Sequence, residues 1–246
     1  MEKKIAVKPL KIGHYTIKYP IIQGGMGVGI SLSSLAGAVA NSGGIGIIST
    51  AQIGFKKPEF VKNPLAANLK AIHEEFAKAR KIAPEGVLGF NIMVATKEYG
   101  QYVKEAVKAG ANVIISGAGL PVDMPKFVAE AEEELRADGI KNQSTMIAPI
   151  VSSVKSATVI CRMWDRKHKT APDFVVIEGS EAGGHLGFKK DDLLNHLLNC
   201  FTISGISLLR IFLSSNGYIV SISLVFGIVY TLIICLSYPI LGYGIS

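Results

Sequence analysis

The chain has 246 residues, enough for one barrel-sized domain with a full hydrophobic core, and its formal net charge is +7. Its lysines alternate with glutamates, as at Lys97-Glu98 and Lys104-Glu105, which predicts solvated helix faces. Because no basic stripe carries interleaved aromatic residues, the composition argues against nucleic-acid binding. The three cysteines have no metal-ligand spacing, and the charged N-terminus has no apolar signal core, so we expect a cytoplasmic protein without a metal site.

Short apolar segments without polar alternation predict strands that are buried on both faces, as in a parallel sheet. The six segments are 21–23, 45–49, 87–93, 112–116, 146–151 and 174–178. Each of the first five is followed by a predicted helix. The first helix begins near Ser31, and the second and third span 64–82 and 97–109. The fourth follows Asp123 as its N-cap, and the fifth follows Ser152 or Ser153.

This strict alternation of strand and helix is shared by open doubly wound sheets and by closed barrels. Glycines favour the barrel, because they follow several strands and not only the first, as at Gly24-Gly25, 117–119 and Gly183-Gly184. We therefore predict an α/β fold of the (β/α)₈ TIM-barrel type. It is incomplete, at about six βα units, and is followed by a hydrophobic C-terminal tail.

Two motifs in the first half of the chain have both a structural and a functional interpretation. The glycines of PIIQGGMGVGIS, residues 20–31, let a ligand approach the backbone, or they simply form a tight turn into the first helix. Asn91 lies inside an otherwise apolar strand, where an unpartnered amide would cost about 1–3 kcal/mol. Its side chain therefore bonds to backbone or holds a ligand.

The strongest motif is the segment VIEGSEAGGHLGF, residues 176–188. An apolar strand ends there in the charged Glu178, and His185 follows between Gly183-Gly184 and Gly187. Glycines leave the imidazole without bulky neighbours, and histidine exchanges a proton near neutral pH. The pattern favours a functional histidine over a structural one.

Five segments carry a family resemblance: PIIQGGMG, GFNIMVAT, IISGAGLP, IAPIVSS and EGSEAGGHLGF, in this order. They resemble the nitronate monooxygenase family, formerly called 2-nitropropane dioxygenases, whose near relative is enoyl-ACP reductase II. The resemblance covers about residues 8 to 190 and implies a (β/α)₈ barrel that binds FMN non-covalently at its C-terminal face.

The resemblance also implies roles for individual residues. His185 matches the catalytic histidine, which can act as a base toward a neutral nitroalkane. Glu178 stands where many members carry a flavin-contacting glutamine, and a carboxylate there would disfavour a reduced, anionic flavin. The expected cofactor-binding residues are Gly24, Gly25, Met26, Asn91, Glu178, Gly183 and Gly184.

The activity implied by the family is FMN-dependent oxidation of alkyl nitronates by O₂ to carbonyl compounds and nitrite. One alternative is NAD(P)H-dependent reduction of an enoyl thioester, as in enoyl-ACP reductase II. Another is an inactive truncated barrel product or a membrane-tethered remnant. The expected partners are accordingly a small-molecule substrate and O₂ or NAD(P)H.

The chain changes character near Asp192, so we divide it into an FMN-binding barrel portion, 1–192, and an apolar tail, 193–246, in which Arg210 is the only formal charge. The run 219–236 is long enough to span a bilayer, and only then would we expect membrane contact. The tail could also be a buried continuation of the barrel. Its charge-free Ile/Ser/Leu/Tyr composition is typical of an out-of-frame product of an AT-rich gene, which is the interpretation we favour.

The tail stands where family members continue with two more βα units. Loops at that position hold the cofactor phosphate in many barrels. The resemblance therefore implies weak FMN binding by this chain, and a sheet with unpaired edge strands.

Overall fold

The computed structural model describes residues 8–140 and 144–178, and the backbone alone of 218–224 and 229–235. The chain begins with an antiparallel hairpin of two short strands, β1 (Leu10–Ile12) and β2 (Tyr15–Ile17). Gly13 forms its turn with a positive φ of 54°, a conformation that glycine adopts without strain. Sequence analysis assigned no element to this segment, because three-residue strands are too short to show a period.

Helices and parallel strands then alternate. In chain order they are α1 (Ser33–Asn41), β3 (Ile45–Ser49), a 3₁₀-helix (Pro58–Val61), α2 (Pro64–Ile82), β4 (Val87–Met93), α3 (Tyr99–Lys108), β5 (Val113–Gly117), α4 (Met124–Ala137), β6 (Met146–Val151), α5 (Val154–His168) and β7 (Val175–Glu178). The backbone strands β8 (Tyr218–Leu224) and β9 (Val229–Cys235) follow.

The order of the parallel strands distinguishes the two α/β architectures that share an alternation of strand and helix. Strands β3, β4, β5, β6 and β7 are neighbours in chain order, each parallel to the next. A doubly wound sheet reverses its order at a switch point, whereas a barrel keeps adding strands in one direction. The sheet therefore has the winding of a TIM-type barrel.

Alternate side chains of the strands face two separate cores. On one face, Ile48, Phe90 and Ile114 pack with the helices, including the fully buried Trp164 of α5. On the other face the strands pack against the β1–β2 hairpin, which fills the interior at the N-terminal end of the sheet. The residues of this inner core are Leu10, Ile12, Ile17, Ile22, Ile45, Ile47, Val87, Val113, Ile115, Met146, Ala148, Phe174 and Val176.

Most predicted strands are found at or within one residue of their expected positions, but the segment 21–23 forms a single parallel bridge and not the regular strand that was predicted. Only Ile22 bridges to Ile45, and regular pairing stops after Gln23, whose N–H donates to the Ile45 carbonyl at 3.0 Å. The chain leaves the sheet at that point and enters the glycine-rich loop.

Two helix starts differ from prediction for local reasons. Helix α3 begins at Tyr99 and not at residue 97, because Glu98 has a left-handed φ of 62° that a helix cannot contain. Asp123 makes no side-chain cap for α4. Its carboxylate lies 3.8 Å from the ring of His168 instead. Ser153 does cap α5, in a capping box with Ser156.

In the range 193–246 the structure describes only the backbone of β8 and β9. These strands form an antiparallel pair, and β9 also pairs antiparallel with β7. The run 219–236, interpreted from sequence as long enough to span a bilayer, thus overlaps two seven-residue strands, the first of which begins at residue 218. Among the described residues no helix combines the length and apolarity needed to cross a membrane. The division at residue 192 and the origin of the tail stay predictions.

Candidate active site

Polar side chains gather where the parallel strands end. Asn91 on β4 lies beside Ser49 of β3 and Ile115 of β5 in the sheet register. Its place two residues after Gly89 puts it on the face that packs against the hairpin. Glu178, two residues after the inner-core Val176, ends β7 on the same face. Asn91 and Glu178 therefore face the interior at the C-terminal end of the sheet.

The glycine-rich loop reaches this end of the sheet and contacts Asn91 directly. The Asn91 Nδ2 lies 3.5 Å from the Gly25 carbonyl oxygen, which is a long hydrogen bond. Asn91 is half-buried. This is the one hydrogen bond of the Asn91 side chain within the described part of the chain, so the amide keeps capacity to bond a ligand.

Neighbouring loops fix the backbone of Asn91. The N–H and the Oγ1 of Thr50, just beyond β3, both donate to the Asn91 carbonyl at 3.1 Å. Gly27 lies against Ala51, where an added Cβ would come within 2.6 Å of the Ala51 Cβ. The loops after Gln23 and after β3 are thus packed together over the mouth of the sheet.

Ser31 organises the glycine-rich loop from inside. Its hydroxyl accepts hydrogen bonds from the Met26 N–H and from the Gln23 side chain, and it donates to the Gly24 carbonyl, each at 3.0 Å. The side chain is fully buried. The sequence pattern predicted a role for the glycines but placed Ser31 only near the start of a helix, although a small polar residue that closes a glycine-rich segment is a usable signal.

A second loop at the mouth, between β5 and α4, is held by α5. The indole N–H of Trp164 donates to the Pro121 carbonyl at 3.0 Å, and the His168 ring lies 3.1 Å from the Val122 carbonyl oxygen. The loop contains Ala118 and Gly119 with positive φ values of 53° and 131°. Helix α5 therefore fixes the loop that carries the IISGAGLP motif.

A pair of hydroxyl groups lies on the outer side of the same strand end. The hydroxyl of the half-buried Tyr99 lies 2.8 Å from the Ser116 Oγ, to which it donates. Burial raises the pKa of Tyr99 well above its ordinary value, while the Ser116 bond lowers it, so the phenol stays neutral. Within the described ranges no group of three or more His, Cys, Asp or Glu side chains is arranged to hold a metal ion.

The structure brings together five of the predicted cofactor-binding residues at one end of the sheet. They are Gly24, Gly25, Met26, Asn91 and Glu178. The predicted catalytic His185 and the predicted contacts Gly183 and Gly184 lie outside the described residues. A half-buried glycine backbone beside a carboxamide with spare hydrogen-bonding capacity suits a planar heterocycle such as the ring of FMN, so the residues present fit that cofactor.

The strand order defines an α/β protein with the winding of a TIM-type barrel, and its loops meet over the C-terminal ends of the strands, where barrels of this type build their sites. The sequence model of the nitronate monooxygenase family matches residues 8–203, and the chain belongs to this family.

Individual relatives are distant. A probable nitronate monooxygenase of Staphylococcus aureus strain MSSA476 is 24% identical over 189 residues, which cover 70% of this chain and 49% of the relative. A 5-hydroxy-7a-methyl-1-oxo-octahydro-1H-indene-4-carboxyl-CoA dehydrogenase of Mycobacterium tuberculosis is 24% identical over 171 residues, covering 70% of this chain and 38% of the relative. The chain thus spans at most about half the length of these curated relatives.

Solved structures support the fold. A FabK variant from Thermotoga maritima matches with a TM-score of 0.51 at 24% identity, covering 70% of this chain and 46% of that one. Nitroalkane oxidase from Streptomyces ansochromogenes matches with a TM-score of 0.51 at 17% identity, covering 72% and 51%. These likenesses confirm the predicted α/β-barrel class.

Proposed function

We propose that this protein is an FMN-dependent oxidoreductase that oxidises alkyl nitronates with O₂ to carbonyl compounds and nitrite. The observation that carries the proposal is the convergence of the Gly25 backbone and the Asn91 amide at the C-terminal end of a barrel-type sheet. Membership of the nitronate monooxygenase family supports it. Active sites of TIM barrels are built at this end.

Each described residue of the site has a proposed task. The backbone of Gly24, Gly25 and Met26 lies against the cofactor ring, and the absence of a Cβ at the two glycines allows close approach. Asn91 hydrogen-bonds the ring with its amide, and Glu178 places a carboxylate at the rim that disfavours further negative charge nearby. When bound, FMN supplies the redox chemistry, which no side chain of the site can perform.

His185 is proposed as the base that accepts a proton from a neutral nitroalkane. An imidazole is half-protonated near neutral pH and so can both take and return a proton. The role rests on the sequence setting of His185 between Gly183-Gly184 and Gly187. Gly183 and Gly184 are proposed as backbone contacts of the cofactor.

The test begins with a titration of the purified full chain with FMN, followed by absorbance and fluorescence. We expect a perturbed flavin spectrum and O₂ consumption with an alkyl nitronate in the absence of NAD(P)H. His185→Ala should remove turnover of neutral nitroalkanes while retaining much of the turnover of preformed nitronates. A chain that neither binds FMN nor consumes O₂ would contradict the proposal.

His73→Ala is the matched control for the histidine substitution. His73 lies on α2 with its ring nitrogen 2.6 Å from a Glu105 carboxylate oxygen, on the helical outer layer. Loss of the imidazole there should leave both activities unchanged. Equal losses in the two variants would indicate a general effect of removing histidine, and unchanged nitroalkane turnover in His185→Ala would refute the assigned role.

A second candidate is NAD(P)H-dependent reduction of an enoyl thioester. The Mycobacterium tuberculosis relative favours it, because its name places a CoA thioester in its substrate. Oxidation of NAD(P)H that depends on an added enoyl thioester would support this candidate. Full-stoichiometry FMN absorbance would count against the third interpretation, an inactive product.

A further inference from the structure

The carboxamide of Gln23 occupies the place of a neighbouring strand at the edge of β3. Its Nε2 donates to the Ile47 carbonyl at 2.9 Å, and its Oε1 accepts from the Ile47 N–H at 3.4 Å. A carboxamide carries the same donor and acceptor as a peptide group, so one side chain satisfies both backbone groups of Ile47. Gln23 is only 5% exposed, which makes these bonds costly to leave unmade.

Because the Gln23 side chain bonds the backbone of Ile47 in place of a neighbouring strand, the main chain after Gln23 can leave the sheet. Within the segment 21–25, the last backbone hydrogen bond to β3 is the one from the Gln23 N–H to the Ile45 carbonyl. A regular strand would continue along β3 and could not contact β4 beyond it. Instead the chain crosses the end of β3, and the Gly25 carbonyl reaches Asn91 of β4.

The second hydrogen of the Gln23 amide bonds Ser31, which in turn bonds the glycine-rich loop. Gln23 Nε2 donates to the Ser31 Oγ at 3.0 Å. The Ser31 hydroxyl in turn holds the Met26 N–H and the Gly24 carbonyl on either side of Gly25. Both hydrogens of the Nε2 group and every bond of the hydroxyl are therefore used within one buried network.

We propose that Gln23 and Ser31 are positioning residues for the cofactor-binding loop. Gln23 ends regular pairing along β3 while its amide keeps the backbone groups of Ile47 hydrogen-bonded. Ser31, which is bonded to Gln23, then fixes the backbone of residues 24–26. The functional part of this inference rests on the proposed role of that loop in holding FMN. The architectural part stands on the hydrogen bonds of the chain itself.

The test compares Gln23→Met and Ser31→Ala with Gln101→Met and Ser34→Ala in the full chain. Methionine matches glutamine in size but has no amide. Gln101 and Ser34 are exposed on α3 and α1, away from the loop. The readouts are amide hydrogen exchange of Met26 and Ile47, with Ile115 of β5 as the reference for global unfolding, and the dissociation constant for FMN.

We expect Gln23→Met to accelerate exchange at Met26 and Ile47, and Ser31→Ala to accelerate it at Met26 alone, each about tenfold relative to Ile115. The FMN dissociation constant should rise about tenfold in both, and in neither control. A purely stabilising role would accelerate exchange at Ile115 equally and leave FMN affinity of the folded protein unchanged, which would overturn the proposal.

The proposed function and the positioning role of Gln23 can be refuted separately. If the unmodified chain binds no FMN, the proposed function is wrong, and the positioning role is then tested by amide hydrogen exchange alone. Unchanged protection of Met26 and Ile47 in Gln23→Met would then refute it. If FMN binds with equal affinity to Gln23→Met and to the unmodified chain, the proposed function survives and the positioning role does not.

Discussion

A Cβ atom added to Gly25 would lie 2.2 Å from the Cβ of Asn91 and 2.4 Å from its Nδ2. Atoms of folded proteins do not approach so closely, so the loop reaches β4 only because residue 25 has no side chain. Since a Cβ is fixed by the backbone, Asn91 cannot rotate away from this clash. The glycine at position 25 is therefore explained by its contact with a particular strand.

Gly25→Ala should destabilise the fold by about 1–3 kcal/mol through overpacking. Asn91→Gly removes the side chain that the new methyl group would meet, so Gly25→Ala should cost less in that background. A double-mutant cycle in urea, followed by emission of Trp164, the single tryptophan of the chain, measures the coupling. Additive effects, equal within roughly 0.5 kcal/mol, would contradict the contact.

Trp164→Phe tests how α5 holds the loop between β5 and α4. Phenylalanine keeps an aromatic ring in the core but removes the N–H that donates to Pro121, which leaves that carbonyl without this bond. We expect a loss of about 1–3 kcal/mol and faster exchange of the loop amides. Phe127→Leu, on α4, is the control for a changed aromatic residue. Equal exchange of the loop in both variants would argue that packing alone holds it.

Glu75→Gln tests a cap that one helix supplies to another. The Ser33 N–H at the start of α1 donates to the Glu75 carboxylate of α2 at 3.1 Å, while Leu32, the N-cap residue, provides no side-chain bond. Burial alone would raise the pKa of Glu75, but hydrogen bonds from Lys78 and Ser33 lower it overall. Because the pKa is lowered in the folded state, the stabilisation is complete above the unfolded pKa and is lost as pH falls through the folded one.

We therefore expect Glu75→Gln to cost about 0.3–1 kcal/mol at pH 7, and this difference to shrink in acid, below pH ~4. Unfolding in urea across the pH range measures it. Glu133→Gln, an exposed position on α4, should have little effect at neutral pH. A cost of Glu75→Gln that stays constant into acid would exclude the charged cap.

The sequence predicted the parallel strands well because burial on both faces requires continuous apolar runs. Strands β3, β4 and β6 occupy the predicted residues. Periodicity likewise located α2, whose inward side chains follow steps of three and four residues. Periodicity did not give their order in the sheet, because an apolar run does not record which strand lies beside it, and the barrel was predicted from the glycines that follow several strands.

Long-range side-chain bonds explain what could not be predicted. Gln23 ends a strand early through bonds to Ile47, which is 24 residues away in sequence. No local sequence pattern shows that the side-chain amide of Gln23 can make the hydrogen bonds that a neighbouring strand would make to Ile47. Asp123 had the sequence signature of an N-cap, but its carboxylate faces the cationic end of α5. Such choices depend on partners that only the folded chain brings together.

Asp173 lies just before β7 at the N-terminal end of the sheet, and its Oδ2 accepts from the Ile147 N–H at 2.8 Å. Burial raises the pKa of this carboxyl, against the opposing effects of the Ile147 bond and of nearby His14. A pKa raised on folding gives stability that is complete below the unfolded pKa and is lost as pH rises through the folded one. The ionised form of Asp173 at neutral pH therefore lowers the stability of the fold.

Asp173→Asn keeps an oxygen acceptor for Ile147 and cannot ionise, so it should gain stability relative to the unmodified chain as pH rises from about 4 to 7. Thermal unfolding of both proteins at several pH values measures this change. Asp138→Asn, on the exposed C-cap of α4, controls for loss of one negative charge. If Asp173→Asn instead became less stable relative to the unmodified chain with rising pH, the carboxylate would be favoured in the fold, and attraction to His14 and the Ile147 N–H would outweigh its burial.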